Sequence, residues 1–458
     1  MQSEMRPTRS KRLKKVARLL SAPLVLALVA LIIAGSTGIV TAWNPDWPES
    51  GVICTENENS AFTFTTKEGT ISTPDGNVIY MWGFSEGDSP FQHPSPVLCV
   101  TQGDTVTIVL HNPLEFDDVS IVFPGQDNVL ANGQPSQPVF SPGGDLTSFA
   151  PVARAKGGTM TYSFVAEKPG TYLYHSGTEP AKQVNMGLFG ALIVRPLGHP
   201  DWAYGADANF DDEFGVEQTT QFKPETEYVM LLSEIDPMLH MAVEQNLPYN
   251  MNNYRSRYWL INGRSFPDTV APNGAEWLPN QPYSSLVHIL PYDGDPASPT
   301  YNPEPPALVR FLSVGTENYP HHPHGNHGRI IGRDGNALVD GGTYDLSYER
   351  FTIQVGPGET HDELFRWEDV EKWAPGDPET EIPVEIPQLQ NLTHGTFFSG
   401  SPYLGNVDNL PVGHQALNQC GEYYHIAHNH ALQQITAWGV VLSGHITFTR
   451  IDPLEGCP

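Results

Sequence analysis

The sequence is 458 residues long, with 42 glycines, 42 prolines and a formal net charge of −28 at pH 7. That length allows two or three domains with large cores, and the glycine and proline content favours many strands joined by turns. So acidic a surface repels nucleic acid and anionic membranes, which excludes both as partners of the folded body.

A basic head and a long uncharged stretch open the chain. Seven of the 24 basic residues precede residue 19, and no charged residue lies from Leu19 to Asn44. Val40-Thr41-Ala42 fits the pattern before a signal cleavage site, so residues 1–42 are predicted to be an export signal. The stretch is also long enough to span a bilayer, so an uncleaved membrane anchor stays open.

Both alternatives for the leader place the rest of the chain outside the cytoplasm, because the basic head stays on the inner side of the membrane. Without residues 1–42 the chain carries 17 basic and 51 acidic residues, a net charge of −34. Any membrane contact is therefore expected only through the N-terminal segment.

Four cysteines follow the leader, at Cys54, Cys99, Cys420 and Cys457. An even number of cysteines in an exported chain predicts disulfides, and three pairings are possible. We favour Cys54–Cys99 with Cys420–Cys457, since each bond would then tie a domain edge to its own domain.

Residues 45–198 are predicted to form one β domain. Short segments of alternating apolar and polar residues recur, separated by glycine and proline, which is typical of a sandwich or small barrel. The predicted strands are 106–110, 160–165, 171–175 and 189–194.

Residues 225–452 are predicted to form a second β domain, after an acidic and aromatic linker over residues 199–224. Its predicted strands are 227–232, 258–263, 308–314, 351–355 and 438–442. A proline-rich and glycine-rich insertion over 368–419 interrupts it, as surface decoration or as a lid. The run His361-Asp362-Glu363 is the nearest acid–base candidate, and it is predicted to lie in a surface turn after Gly358.

Two histidine clusters mark the second domain. The first reads Tyr-Pro-His-His-Pro-His-Gly-Asn-His over residues 319–327, and the second reads Tyr-Tyr-His-Ile-Ala-His-Asn-His over residues 423–430. In an extended segment alternate residues share a face, so His322 pairs with His324, and His428 with His430. Two such pairs on neighbouring strands would direct four imidazoles into one space, which suits copper or zinc.

These residues, together with other segments, resemble the two-domain multicopper oxidase family. The further segments are 170–176, 187–194, 258–267 and 309–312. The resemblance implies an all-β fold of two cupredoxin-like Greek-key β-barrels or sandwiches, with the long insertion in the second. It also implies copper as the cofactor and oxidoreductase activity.

The residues of the family's mononuclear (type 1) copper site are replaced here. The resemblance places the two histidine ligands at Tyr319 and Gln434 and the cysteine thiolate at Asn429. In relatives that carry this site in the first domain, the cysteine position corresponds to Ser176. A type 1 site requires a thiolate, so its absence is expected.

The family's trinuclear cluster uses four His-x-His pairs, and five of these eight positions keep histidine in this chain. Val122 and Pro124 occupy the first pair and Gly177 replaces one member of the second. The remaining positions predict metal ligands at His175, His322, His324, His428 and His430. His327 and His425 lie nearby in sequence, either as additional ligands or as surrounding residues.

The sequence therefore predicts an exported protein that binds one or two copper ions at a reduced trinuclear-type cluster. If it is redox active, a small molecule or a metal ion must reduce the copper directly. A non-catalytic copper-binding or assembly protein is the alternative, and zinc is a lesser candidate for an imidazole-only site. The family resemblance further implies a homotrimer, in which the cluster closes between neighbouring subunits. No nucleophile elbow, phosphate loop or dinucleotide motif favours another enzyme class.

Overall fold

A computed structural model describes residues 48–210, 219–298, 301–325, 327–340, 344–368 and 423–452. The predictions for the leader (1–42), for Cys420 and Cys457, and for nearly all of the insertion (368–419) concern residues outside these ranges. Along the described ranges, no helix has the length and apolar character needed to cross a bilayer.

The first part of the described chain is built from short strands. In chain order they are β1 (Cys54–Thr55), β2 (Ala61–Ser72), β3 (Val78–Glu86), β4 (Val97–Thr101), β5 (Thr105–Asn112), β6 (Leu130–Ala131), β7 (Gln134–Pro135), β8 (Val139–Phe140), β9 (Leu146–Ser148), β10 (Gly158–Val165), β11 (Gly170–His175) and β12 (Phe189–Arg195). A single turn of helix, α1 (Pro180–Gln183), precedes β12.

These strands form two main sheets that face each other across an apolar core. One sheet has the order β1-β4-β12-β11 and the other β3-β2-β5-β10-β6-β7, while β8 and β9 form a separate hairpin. In β5, buried residues alternate with more exposed ones, so that Val106, Ile108 and Leu110 point into the core. The four strands predicted here are all present, with bounds that differ by one or two residues.

The second part contains more strands and one longer helix. The strands are β13 (Glu227–Ile235), β14 (Tyr258–Ile261), β15 (Val287–Ile289), β16 (Pro291–Tyr292), β17 (Ala307–Ser313), β18 (Tyr319–Pro323), β19 (Gly328–Arg333), β20 (Asn336–Ala337), β21 (Val339–Asp340), β22 (Tyr344–Asp345), β23 (Tyr348–Arg350), β24 (Ile353–Val355), β25 (Thr360–Phe365), β26 (Trp367–Glu368), β27 (Tyr423–Asn429), β28 (Thr436–Ala437), β29 (Val440–Val441) and β30 (Ile446–Ile451). The helix is α2 (Pro237–Glu244), which Asp236 caps by accepting a hydrogen bond from the Met238 amide.

Two sheets again dominate. The larger follows the order β20-β19-β25-β17-β13-β14-β28-β29, with β23 paired to β19, and the smaller follows β15-β30-β27-β18-β24. All nine residues of β13 are buried, because one face of this strand lines the second core and the other packs on the first part of the chain. The all-β class and the cupredoxin-like architecture of the prediction are confirmed.

Three sequence predictions need correction. Residues 438–442 do not form one strand, because Trp438 and Gly439 adopt positive φ and turn the chain between β28 and β29. The run His361-Asp362-Glu363 is not a surface turn but the centre of β25, which β17 and β19 flank. The predicted strand at 351–355 is shorter, beginning at Ile353.

Residues of the predicted linker are packed against the second part of the chain. Tyr204, Phe210 and Phe222 are buried in a cluster with Leu308 and Leu364 of the second part. The domain boundaries themselves stay a prediction.

The disulfide Cys54–Cys99 is present and joins β1 to β4, with 5.4 Å between the two Cα atoms. It confirms one of the two favoured pairings. Its loop spans 45 residues, so the bond restricts the unfolded chain considerably.

A buried ionic network joins the two halves beside an apolar interface. Arg310 on β17 donates from Nε to the Glu227 carboxylate at 2.7 Å and from a terminal nitrogen to Thr171 Oγ1 at 2.8 Å. Asp362 accepts from Thr171 at 2.5 Å and from Tyr204 at 2.6 Å. One guanidinium therefore compensates two buried carboxylates and is bonded across both halves of the chain.

Arg310→Met is expected to lower the free energy of unfolding by about 3–5 kcal/mol, because Asp362 would remain buried without its cation and Glu227 would keep only Arg195. Urea denaturation followed by tryptophan fluorescence measures this change. Arg333→Met, which removes an exposed ion pair with Glu359, should change the same quantity by less than about 1 kcal/mol. Equal effects of the two substitutions would contradict the role of the network.

Candidate metal centre

The pairing of β18 with β27 brings the two histidine clusters together. In this antiparallel register His322 lies directly opposite His428, and His321 opposite Asn429. Successive side chains alternate between the two faces of each strand. His322 and His428 therefore point outward from the second barrel, whereas His321 and Asn429 point into its interior and are buried.

Three imidazoles converge on the outer face. His322, His324 and His428 each offer one ring nitrogen, and these three nitrogens lie within 4.8 Å of one another. His324 Nε2 and His428 Nε2 are 3.3 Å apart. Two nitrogens bonded tetrahedrally to one metal at about 2.0 Å would be about 3.3 Å apart, so the spacing fits a shared ion.

His430 borders this group at the exposed rim. Its ring centroid lies 5.0 Å from that of His322 and 5.7 Å from that of His428. The backbone amide of His430 donates to the Pro320 carbonyl at 2.8 Å, which ties the end of β27 to β18. His322, His324, His428 and His430 are thus neighbours, as the alternation of the sequence predicts.

Backbone carbonyls set the protonation of the rings. His428 Nδ1 lies 2.9 Å from the Asn429 carbonyl, and His322 Nδ1 is bonded to the Phe351 carbonyl. A carbonyl only accepts, so in each ring Nδ1 carries the proton and Nε2 keeps its lone pair. These contacts orient the rings and leave the lone pair of Nε2 open to a metal ion.

Burial favours the neutral form of two of these rings, His324 and His428. Burial, followed by repulsion from the neighbouring imidazoles, lowers the pKa of His324 to about 4. Burial also lowers the pKa of His428. Unprotonated imidazoles are the ligands that copper and zinc take, so no proton has to leave these rings at neutral pH.

His175 lies in the first barrel, at the end of β11, and is not part of the group of three. Its Nδ1 lies 2.9 Å from the Ser176 carbonyl, so it too presents Nε2. Val122, where the resemblance places a lost ligand, pairs with His175 through a backbone bond of 2.9 Å from its amide to the His175 carbonyl. The role of His175 as a ligand stays a prediction.

Two further histidines of the clusters have different surroundings. His425 is buried on the inner side of β27, and its ring lies 6.1 Å from that of Trp367. His327 is exposed, and its Nδ1 lies 4.0 Å from a Glu349 carboxylate oxygen. The sequence left both open, and the structure places neither within the group of three converging rings.

A network of amide hydrogen bonds occupies the region where the resemblance places a type 1 copper. Asn429 donates through Nδ2 to Gln434 Oε1 at 3.0 Å and to His445 Nδ1. Gln434 in turn donates to Glu317 at 3.0 Å and to the Asn318 carbonyl at 2.9 Å. His445 Nε2 lies 2.6 Å from the Leu260 carbonyl, so Nε2 carries the ring proton.

The amide hydrogens of Asn429 and Gln434 are therefore all used, and the lone pair of His445 is taken by Asn429. Tyr319 lies against His445, with 4.8 Å between the ring centroids, and both are fully buried. Sequence reasoning missed His445, since it stands alone in the sequence and belongs to no motif.

The chemistry of Glu363 also differs from the sequence prediction. This carboxyl is buried in the second barrel, where it and His321 line a cavity of about 10 Å³, about the size of one water molecule. Its Oε1 has no hydrogen-bond partner among the described residues. Burial raises the pKa of Glu363 to about 8, so the carboxyl is protonated at neutral pH.

Parts of the chain are similar in sequence to known copper proteins. The multicopper oxidase family model matches residues 67–198. The predicted resemblance to the multicopper oxidases is confirmed. The chain is 35% identical to an L-ascorbate oxidase of Cucumis sativus over 105 residues, and 32% identical to a copper-containing nitrite reductase of Neisseria meningitidis serogroup B over 132 residues.

These sequence matches are partial. They cover 23% and 29% of this chain, and 16% and 29% of the two relatives respectively. Solved structures match more of the fold: the multicopper oxidase mgLAC aligns with a TM-score of 0.54 over 87% of both chains, and a blue copper oxidase from Nitrosomonas europaea with 0.51 over 86% of both. Both are 18% identical in sequence, so they support the fold alone.

The stability conferred by Glu363 is expected to depend on pH. Its folded pKa of about 8 exceeds its unfolded value, so the folded state holds the extra proton between about pH 4.5 and pH 8 and loses stability as the pH rises through that window. Glu363→Gln keeps a neutral group of the same shape. Between pH 5 and pH 9 its stability should improve relative to the natural protein by on the order of 4 kcal/mol.

Urea denaturation at several pH values measures this difference. The exposed residue Glu349 provides the control, since Glu349→Gln should follow the pH dependence of the natural protein. Parallel curves for Glu363→Gln and the natural protein would show that Glu363 is ionised in the fold.

Proposed function

We propose that this protein is an exported copper-binding member of the multicopper oxidase family that lacks a type 1 site. The single observation that carries the proposal is the convergence of His322, His324 and His428, with the Nε2 atoms of the last two 3.3 Å apart. His430 lies beside them at the exposed rim and can complete the ligand set. The donor set fits copper, because it consists of imidazole nitrogens that lie within 4.8 Å of one another.

Residues around the histidine group orient its rings and leave one side of it accessible. The Phe351 and Asn429 carbonyls hold the rings of His322 and His428 and fix which nitrogen binds. His430 is exposed, so a small reductant can approach the group from solvent. When bound, copper supplies one-electron redox chemistry at this surface.

The network around Asn429 supports the proposed absence of a type 1 site. It offers neither a thiolate nor a free imidazole nitrogen, and a blue copper centre needs both. Electrons would therefore come directly to the histidine group from a small molecule or a metal ion. Four-electron reduction of dioxygen to water does not suit a cluster that keeps five of the eight histidine positions. Copper binding or assembly without catalysis is the second candidate function.

We also propose that a second copy of the chain packs beside the cluster. Phe149 is 48% exposed and its amide is bonded to the carbonyl of Gly177, two residues after His175. Leu432 is 67% exposed, two residues after His430. Exposed apolar side chains thus lie near His175 and near His430, which suits a subunit interface. Such an interface would bring His175 of one copy to the other four histidines of its neighbour, as in a homotrimer.

Copper retention tests the metal site. Protein loaded with copper and dialysed is expected to retain about one to two equivalents, and His324→Ala combined with His428→Ala should abolish retention because it removes the closest pair of ligand atoms. Metal analysis and electron spin resonance measure the content, and no intense thiolate-to-copper absorption band is expected. His111→Ala combined with His199→Ala controls for nonspecific binding to histidine.

Unchanged retention in the His324/His428 double variant would refute the site. Oxygen uptake with a phenol, ferrous ion or manganous ion then separates the two functions. Uptake that is lost in the double variant but kept in the control variant supports an oxidoreductase, whereas full retention of copper without uptake supports the binding protein.

The oligomeric state tests the shared cluster. Sedimentation velocity should show a trimer, and Leu432→Asp combined with Phe149→Asp should dissociate it and lower copper retention, since each change places a charge at an apolar contact. Leu197→Asp, at a side chain that is 70% exposed elsewhere, should leave the trimer intact. A natural protein that stays monomeric at all concentrations would overturn this part of the proposal.

A further inference from the structure

A large cavity lies far along the chain from the histidine clusters, between the first barrel and the helix α2. Its volume is about 1070 Å³, at the upper end of the range for small-molecule sites. Strands β2 and β3 form one wall, the segments 113–117 and 179–182 form a second, and α2 with residues 246–251 forms a third. None of the proposed copper ligands lines it.

Aromatic and apolar side chains form the base of the cavity. Trp82, Leu114 and Leu239 are buried there, and Tyr80 and Tyr249 are partly exposed along its sides. Such a base offers both apolar contact and the electron-rich faces of aromatic rings.

Hydrogen bonds fix the orientation of these rings. Trp82 Nε1 donates to the Tyr80 hydroxyl at 3.0 Å, and that hydroxyl donates to a Glu68 carboxylate oxygen at 2.7 Å. On the opposite wall, the Tyr249 hydroxyl donates to Asp236 at 2.7 Å. The aromatic walls are thus held in place without a ligand, which lowers the entropic cost of binding one.

The rim of the cavity is acidic. Five of its lining residues are carboxylates, namely Glu68, Glu115, Asp117, Glu179 and Glu244, against two lysines. Both lysines already have partners among the described residues. Lys182 pairs with Asp117 and lies 5.3 Å from the Trp82 ring centroid, and Lys67 donates to the Ser89 carbonyl.

The position of Lys182 over Trp82 shows that this wall accommodates an ammonium group by a cation–π contact. No hydrogen bond or ion pair engages the side chain of Glu115 or Glu244 within the part of the chain that the structure describes. Aromatic faces combined with unneutralised carboxylates recognise organic cations, whereas they repel organic anions.

We infer that this cavity binds a small organic cation, an ammonium group carried on an aromatic or apolar body, at a site separate from the copper ligands. The apolar body would rest on Trp82, Leu114 and Leu239, and the cationic group would face Glu68 and Glu244.

Calorimetric titration with benzyltrimethylammonium tests the inference, with benzyl alcohol as the neutral probe and benzoate as the anionic one. The cation is expected to bind saturably at one site per chain and about ten-fold more tightly than the alcohol, while benzoate should not bind. Equal binding of the cation and the alcohol, or no saturable binding of the cation, would overturn the inference.

Substitutions locate the site. Glu68→Gln combined with Glu244→Gln should weaken binding of the cation by about five-fold or more, because it removes two negative charges that face the cation. Both side chains are exposed and the amides keep their size, so the fold should be unaffected. Glu167→Gln, an exposed carboxylate outside the cavity, should leave it unchanged. Phe116→Ala, at a lining ring that is 64% exposed, should weaken the binding of both the cation and the alcohol without threatening the fold.

Binding of the cation that none of these lining substitutions weakens would place it elsewhere and refute the assignment. Copper retention should stay at the level of the natural protein in all of these variants. The outcome at the cavity is therefore independent of the outcome at the histidine cluster.

Discussion

The register between β18 and β27 decides the chemistry of the second barrel. With His322 opposite His428, every second residue of both strands faces outward, and the outward set contains the converging imidazoles. The residues between them face inward and are buried, and one of them, Asn429, is hydrogen-bonded to His445. A slip of one residue would exchange the two faces, burying the converging imidazoles and exposing the amide network. The buried inner face, which tolerates no such exchange, is therefore what keeps the outer histidines in place.

A second constraint holds the two halves of the chain together. Val97, Leu173 and Phe189 of the first barrel pack against Val229 and Leu312 of the second. Arg310 lies beside this apolar contact, where it compensates Glu227 and Asp362. An apolar interface alone permits sliding, whereas a planar guanidinium bonded in several directions accepts one arrangement. The relative position of His175 and the other histidines within one chain depends on this interface.

The sequence predicts the fold and the outer histidines well, because both depend on local alternation. The spacing of His322, His324, His428 and His430 is enough to place them on one face once both segments are strands. It does not reveal His445, because its bond to Asn429 joins residues 16 positions apart that share no motif. The burial of Glu363 could not be predicted for a related reason. A run of three polar residues normally marks a surface turn, and only the strands on both sides of β25 show that it is buried.

The distance of 3.3 Å between His324 Nε2 and His428 Nε2 bears on the free energy of loading the histidine group. Two ring nitrogens that already lie this close together would need little rearrangement to take an ion, so less of the binding free energy would go into ordering the side chains. The carbonyl bonds of His322 and His428 restrict their rings in the same way. The group is thus organised before any ion arrives.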